Sequence, residues 1–192
     1  TVTGAEPTDG GVELKLSSGD ILRVEAAVAG LGALPNTRLA EDAGLVVDNG
    51  IVVNAQMRSS DPDIYAAGDV ANFRSTTLDR YLRVEHEDAA IGQGRHAGRA
   101  MAGVAGDYAA QPFFYSDLFD LGYEAVGLLD ARMQVVEQWR EPHREGVVYY
   151  LEHGRVRGVL LWNTWDQVDA ARALLADEGP FDAAGVKGRL PK

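Results

Sequence analysis

A mixed α/β arrangement followed by a small α+β unit is the fold class that this sequence predicts. Strand-like runs crowd the chain ahead of a long small-residue helix at "VEHEDAAIGQGRHAGRAMAGV". The composition then shifts around "GDYAAQPFFYSD", and a hairpin pattern leads into one more helix. Strands interleaved with helices before the shift, and a hairpin plus helix after it, separate the two classes.

The elements follow in order. In "GVELKLSSGDILRV", Val12, Leu14 and Leu16 alternate with charged residues, and "SSGD" supplies turn chemistry, so two strands are expected. The next run, "EAAVAG", is continuously apolar, as in a strand covered on both faces. Pro35 in "GLGALPN" then breaks regular structure. "RLAEDAG" forms a short helix closed by Gly44, and "LVVDNGIVVN" places Asn49-Gly50 between Val/Ile runs, the preferred pair for a tight hairpin. Residues 63–68, "DIYAAG", read as a short strand after a rigid "DPD" turn.

The long helix shows Ala90, Gly94, Ala97, Gly98 and Met101 at helical spacing, with Glu85, Glu87 and Asp88 crowding its expected first turn, where the dipole favours acids. "GVVYYLEHGRVRGVLLW" turns at His153-Gly154. "TWDQVDAARALLADEG" is a helix with a Thr164/Gln167 capping box, stopped at Gly179-Pro180, and the remaining "FDAAGVKGRLPK" reads as a loose tail. Trp139, Trp162 and Trp165 are assigned to the core of the second unit.

Composition narrows the function classes. The 192 residues suffice for one ordinary domain or parts of two, and 46 % hydrophobic with 24 % charged residues is globular. A formal charge of −11 repels phosphate backbones and anionic membranes, so neither nucleic acid nor membrane is an expected partner. The chain has no cysteine, which removes thiolate metal sites and dithiol chemistry from these residues and fits a reducing cytoplasm. His86, His96, His143 and His153 lack metal-site spacing, and no serine sits in a nucleophile elbow. The opening "TVTGAEPTDGG" lacks both an initiator Met and the regions of a signal peptide, so the chain reads as a piece of something longer.

The stretch that carries chemistry is "SSDPDIYAAGDVANF", from Ser59 to Phe73. Gly68 permits another group to approach the backbone where a Cβ would collide, and Asp69 places a carboxylate beside it. Two roles suit that pair. An ionised Asp accepts hydrogen bonds from the hydroxyls of a sugar alcohol or ribose at the carboxyl end of a strand. Alternatively, Asp69 caps a helical turn in "VANF".

"SSDPDIYAAGDVANF" also closely resembles the second flavin-binding motif of the FAD- and NAD(P)H-dependent pyridine nucleotide-disulfide oxidoreductases. The resemblance implies that Asp69 hydrogen-bonds the ribityl chain of FAD and that Gly68 lets the cofactor pass close to the backbone. "VAGLGALPNTRLAEDAGLVVDNGIVV" is similar to that family's return from its NAD(P)H domain to its FAD domain, which implies that the loop containing Gly32 lies beside the nicotinamide. "RVEHEDAAIGQGRHAGRAMAG" looks like the flavin-facing helix of apoptosis-inducing factor and the bacterial ferredoxin-reductase-like enzymes, which places Glu85 and His86 against isoalloxazine and nicotinamide. "FFYSDLFDLGYEAVGLLD" and the segment from Gly146 onward resemble that group's C-terminal domain, so Tyr115 would cover the flavin ring in place of the Trp of "FWSD". The quick passage through "VVEQWREPHREG" lacks the long insertion of the mammalian factor and points to a bacterial-type reductase.

On this resemblance, residues 1–33 end an NAD(P)H-binding domain, 34–108 form the C-terminal segment of an FAD-binding domain of three-layer ββα type, and 109–192 form the small C-terminal α+β domain. No G-x-G-x-x-G opens a strand-to-helix turn: "GLGALP" lacks the third glycine and "GQGRHAG" has the wrong spacing. The chain therefore reads as the C-terminal half of a reductase that takes FAD and NAD(P)H, with the missing N-terminal half, an electron carrier such as a ferredoxin, and a second copy of itself as partners. The competing expectation is a redox-inactive interaction or dimerisation module.

Overall fold

A computed structural model describes residues 1–104 and 106–190. The chain divides into two compact units, one ending at Leu34 and the other beginning at Pro35.

The first unit is a three-stranded antiparallel sheet of β1 (Val2–Thr8), β2 (Gly11–Leu16) and β3 (Ile21–Val24), in that order. The alternating run and "SSGD" turn form β2 and β3, with Val12 opposite Val24 and Leu14 opposite Leu22. β1 was not anticipated; it pairs with β2 from Thr8 opposite Gly11 back to Val2 opposite Leu16. "EAAVAG" is not a strand. It runs as irregular, exposed chain, with Val28 fully exposed. A strand apolar on both faces needs neighbours along its edges, and no described strand pairs with it.

The second unit opens with the expected short helix α1 (Arg38–Asp42). The Asn49-Gly50 turn exists, with φ of 47° and 127°, but it joins only a single antiparallel bridge, Val47 to Ile51. The strand after it, β4 (Ile51–Val53), pairs in parallel with β5 (Ala71–Ser75), which pairs antiparallel with β6 (Arg80–Arg83). Val53 and Phe73 lie opposite each other, and they gather Met57, Ala66, Ala97 and Tyr108 into a small core. Parallel pairing with a later strand offers Val53 this core, whereas a local hairpin would leave it on an exposed ribbon.

Helix α2 (Glu87–Met101) buries Ala89, Gln93 and Ala97, so of the stripe expected from Ala90, Gly94, Ala97, Gly98 and Met101 only Ala97 is buried. Met101 is 66 % exposed. Glu85 precedes the helix, and His86 is its N-cap, so only Glu87 and Asp88 occupy the first turn.

Beyond α2 the chain builds a five-stranded antiparallel sheet from β7 (Phe113–Leu118), β8 (Leu121–Gly127), β9 (Gln134–Glu141), β10 (Glu145–Glu152) and β11 (Arg155–Trp162). Their spatial order is β7-β8-β11-β10-β9. The β10–β11 turn falls at His153-Gly154, both with positive φ, as a tight hairpin needs. One face of the sheet carries Val126, Val136, Val147, Tyr149, Val159 and Leu161 against α3 (Val168–Ala176), which contributes Ala171, Leu174 and Leu175.

Three details differ from expectation here. The Thr164/Gln167 box does not form: Gln167 holds the cap position without a side-chain bond, and the Thr164 hydroxyl donates to Gly146 and Trp162 carbonyls. None of the three tryptophans is fully buried; Trp139 and Trp162 sit half-buried and Trp165 is exposed. An indole needs a partner for its N–H as well as volume, and a sheet edge supplies one, as Glu137 does for Trp139 at 2.6 Å. The tail is not loose: it forms α4 (Ala183–Val186) and buries Phe181, Val186 and Leu190 in the main core. Its last two residues, Pro191 and Lys192, lie outside the described residues.

The two sheets of this unit are joined by side chains. Leu82 of β6 packs against both cores, and the Glu152 carboxylate on β10 receives Arg80 at 2.7 Å and Arg157 at 3.5 Å. Leu161→Ala, at a fully buried position, is expected to cost about 2–5 kcal/mol, seen as a lower urea midpoint at unchanged slope. Phe119→Ala, at a 99 % exposed position, should move stability by less than about 0.5 kcal/mol.

Candidate functional site

The site is built on a backbone segment that belongs to no sheet. Residues 59–67 are folded locally: Asp61 N–H donates to Ser59 Oγ at 3.1 Å, and Asp63 N–H donates to Asp61 Oδ1 at 2.9 Å. Tyr65 makes one bridge to Arg58, so "DIYAAG" is extended chain and not the strand expected. After Ala67, still extended, the chain turns at Gly68, where φ is +79°. A single 3-10 turn, Gly68–Val70, leads directly into β5, so of "VANF", where a helical turn was the alternative, Val70 closes the 3-10 turn and Ala71–Phe73 are strand.

Gly68 is where the backbone meets α2. A Cβ on Gly68 would lie 3.5 Å from the Ala90 Cβ, in ordinary contact, so the positive φ is what asks for glycine here. Its N–H donates to Gln93 Oε1 at 2.8 Å, inside the protein. Gln93 is fully buried, and its Nε2 has no partner among the described residues. An apolar residue at this position would leave the Gly68 donor unsatisfied, which explains a polar residue on the buried stripe.

Asp69 follows, and it is exposed. Its carboxylate makes no hydrogen bond or ion pair among the described residues, and the cap position of its own turn is Ala67. The capping role is therefore unfilled. The Asp69 carbonyl is held by Arg83 Nη1 at 3.2 Å. The same guanidinium pairs with Glu85 at 2.5 Å, and Glu85 leads into His86.

His86 fixes the start of α2. Its Nδ1 accepts from the Asp88 N–H at 3.4 Å, and its ring meets Phe113 and Tyr115 edge-on, with centroids 6.0 and 5.5 Å apart. Asp88 in turn faces Arg172 of α3 at 3.6 Å, and Arg172 lies over the Phe113 ring. Tyr115 is 56 % exposed on edge strand β7. A cleft of about 420 Å³ runs past Arg83, Glu85 and His86 on one wall and Phe114 and Leu128 on another. Outside this cleft, burial pushes the Tyr108 phenol above its usual value, with the Asp88 charge adding to the effect and Arg172 opposing it.

Five of the six expected site residues are thus linked in space: Gly68 and Asp69 through Gln93 and Arg83, then Glu85, His86 and Tyr115. Gly32 stands in the first unit, in an exposed loop with φ of +78°. Gln93 and Arg83 went unrecognised in the sequence. A glutamine at i+4 from Ala89 on a helix of small residues was the available signal for the first. Arg83 has only Glu85 nearby as a local signal, because Asn49 and the Asp69 carbonyl come from distant stretches of chain.

Comparison with known proteins follows from this geometry. Residues 1–94 match the profile of the family described as pyridine nucleotide-disulphide oxidoreductase, and residues 97–145 match the C-terminal domain of mitochondrion-associated apoptosis-inducing factor. Among curated proteins, putidaredoxin reductase CamA of Pseudomonas putida is 34% identical over 164 residues, 85% of this chain and 39% of that protein. Mitochondrial apoptosis-inducing factor 1 of Dictyostelium discoideum is 32% identical over 182 residues, 87% of this chain and 34% of that protein. The chain therefore spans well under half the length of these relatives.

Among solved structures, the covalent putidaredoxin reductase–putidaredoxin complex superposes with a TM-score of 0.82 at 33% identity, covering 94% of this chain and 44% of that one. The ferredoxin reductase for the CYP199A2 system from Rhodopseudomonas palustris gives 0.83 at 30% identity, covering 96% and 46%. The expected fold class, partial dinucleotide-binding α/β layers followed by a small α+β domain, is the one these neighbours share.

Gln93→Leu should destabilise the protein by about 1 kcal/mol, the cost of a stranded Gly68 N–H partly offset by losing the unpaired Nε2. Urea unfolding measures it, and an unchanged midpoint would show that the bond contributes nothing.

Proposed function

Because this chain belongs to the pyridine nucleotide-disulphide oxidoreductase family, we propose that it forms one side of the FAD site of an NAD(P)H-dependent oxidoreductase. The whole protein passes hydride from NAD(P)H to FAD and electrons onward to a carrier protein of the ferredoxin type. Polypeptide N-terminal to these residues supplies the G-x-G-x-x-G turns that cradle adenine and pyrophosphate.

The observation that carries this reading is the exposed Asp69 carboxylate, without a partner among the described residues, on a turn opened by Gly68 at φ +79° and anchored against α2. A carboxylate is an acceptor only, and a ribityl chain presents a row of hydroxyl donors, so the two match in chemistry. The turn is held by the protein's own contacts, to Gln93 and Arg83, which reduces the ordering cost of binding. These residues fit the cofactor. When bound, the flavin supplies the redox chemistry, accepting a hydride as a pair of electrons and releasing them singly.

The remaining residues bind and shape. Helix α2 points its N-terminal N–H groups and positive dipole end toward the side where His86 and Asp69 emerge. His86 closes the first turn with its own ring nitrogen, and the ring, wedged against Phe113 and Tyr115, fixes where the helix starts. Tyr115, on an edge strand with its ring half in solvent, is placed to cover a flat aromatic ligand.

The carrier would approach α2 from outside. Arg95 and Arg99 are exposed one turn apart on that helix, beside a cleft of about 350 Å³ that also takes in His96. In a chain of formal charge −11 they form a local positive island. An acidic carrier suits that island, and steering of this kind governs encounter more than final affinity.

Asp69→Ala in the complete reductase should weaken FAD retention by about 1–3 kcal/mol, roughly a fivefold to 150-fold rise in dissociation constant. Flavin fluorescence on titration measures it, and an unchanged constant overturns the assignment. Arg95→Glu with Arg99→Glu should raise the KM for an acidic carrier about tenfold at low salt, fading as ionic strength rises. Steady-state carrier reduction across a salt series checks this.

A further inference from the structure

We propose that Arg83 is a positioning residue of this site, seated by the Asn49-Gly50 turn and holding the Asp69 backbone and the Glu85 carboxylate in one arrangement. The inference deepens the flavin reading above and rests on it for its electrostatic consequence alone.

Arg83 lies at the end of β6 with its side chain only 11% exposed. Its guanidinium reaches Asn49 and Asp69, which are distant in sequence, and Glu85, two residues along the chain. Nε donates to Asn49 Oδ1 at 3.3 Å, and Nη1 donates to the Asp69 carbonyl at 3.2 Å and pairs with Glu85 at 2.5 Å. A nearly buried guanidinium is tolerated only where its N–H groups find acceptors, and its planar fork fixes the angles between them.

The Asn49-Gly50 pair gains an explanation from this. It makes almost no hairpin, yet a Cβ at Gly50, whose φ is +127°, would lie 3.0 Å from Arg83 Cδ and 2.7 Å from the Val70 carbonyl. Glycine gives the arginine stem room to pass beneath the turn, and Asn49 supplies the acceptor that aims its head. Arg83 thereby clamps the 3-10 turn from the carbonyl side while Gln93 holds it from the amide side. It also places a positive charge against Glu85, so that this carboxylate stands beside the site compensated and oriented.

The test uses the complete reductase with Arg83→Met, Arg83→Lys, Asn49→Ala and the double variant Arg83→Met/Glu85→Gln. Two readouts separate the parts of the argument. Hydrogen exchange of the peptide spanning residues 59–73, measured without FAD, reports the clamp itself. It should rise about tenfold in Arg83→Met, and less in Asn49→Ala, as the turn opens more often. Arg83→Lys, a point charge without the fork, should keep exchange fast.

The midpoint potential of the bound flavin reports the charge. It should become more negative in Arg83→Met, where Glu85 is left uncompensated, and return toward the wild-type value when Glu85→Gln is added, while exchange stays fast. Recovery of the potential by a residue that does not restore the clamp is something a purely structural role would not produce. Unchanged exchange in both Arg83→Met and Asn49→Ala overturns the proposal. If Arg83→Met does not fold, Asn49→Ala decides alone, and wild-type exchange there overturns it. Faster exchange in a protein that takes up no FAD in any form supports the clamp and overturns the flavin reading.

Discussion

One buried hydrogen bond, from the Gly68 amide to the Gln93 side chain, governs how the candidate site is assembled. Residues 64–70 lie outside any strand ladder, so their polar backbone groups must find partners elsewhere or be stranded. The glutamine provides one from inside α2. Its own amide nitrogen goes unpaired as a result. A protein tolerates that cost where the bond fixes something else, and here it fixes a turn whose next residue is a carboxylate with no partner in the described chain.

Electrostatics around the start of α2 follow the same economy. Four acids stand near this end of the helix: Asp69, Glu85, Glu87 and Asp88. Glu85 is answered by Arg83 and Asp88 by Arg172. The cap itself is a histidine nitrogen and not a carboxylate. The helix dipole is thus less opposed than a count of acids suggests, because two of their charges are met by arginines within 4 Å. Asp69 is the one whose carboxylate follows directly from the anchored glycine.

The C-terminal sheet serves as the platform for this arrangement. Its α3 face builds the larger core, with Tyr149, Val159, Leu161 and Leu175 at or near zero exposure. Its edge strand β7 then presents Phe113 and Tyr115 to the His86 ring. A site spread over a loop, a helix start and a sheet edge gains rigidity from the sheet, since the loop has few apolar contacts of its own. The likeness to ferredoxin reductase structures extends over both parts of this unit.

Much of this was readable from local chemistry. The β2–β3 and β10–β11 hairpins, the helices α1, α2 and α3, and the glycine-aspartate pair all follow from alternation, turn residues and helical spacing that act within a few positions. Where expectation failed, a distant partner decided. Asn49-Gly50 promised a hairpin, but β4 found β5 some twenty residues later. "EAAVAG" read as a covered strand, yet no described strand covers it. The tail became α4 because Val186 and Leu190 reach the main core. Pattern can state that a carboxylate follows a glycine at a turn, since both properties belong to the residues themselves. That the turn is gripped by Gln93 on one side and Arg83 on the other belongs to the folded chain alone, because a hydrogen bond between residues so far apart in sequence exists only once the backbone has brought them within three ångströms or so.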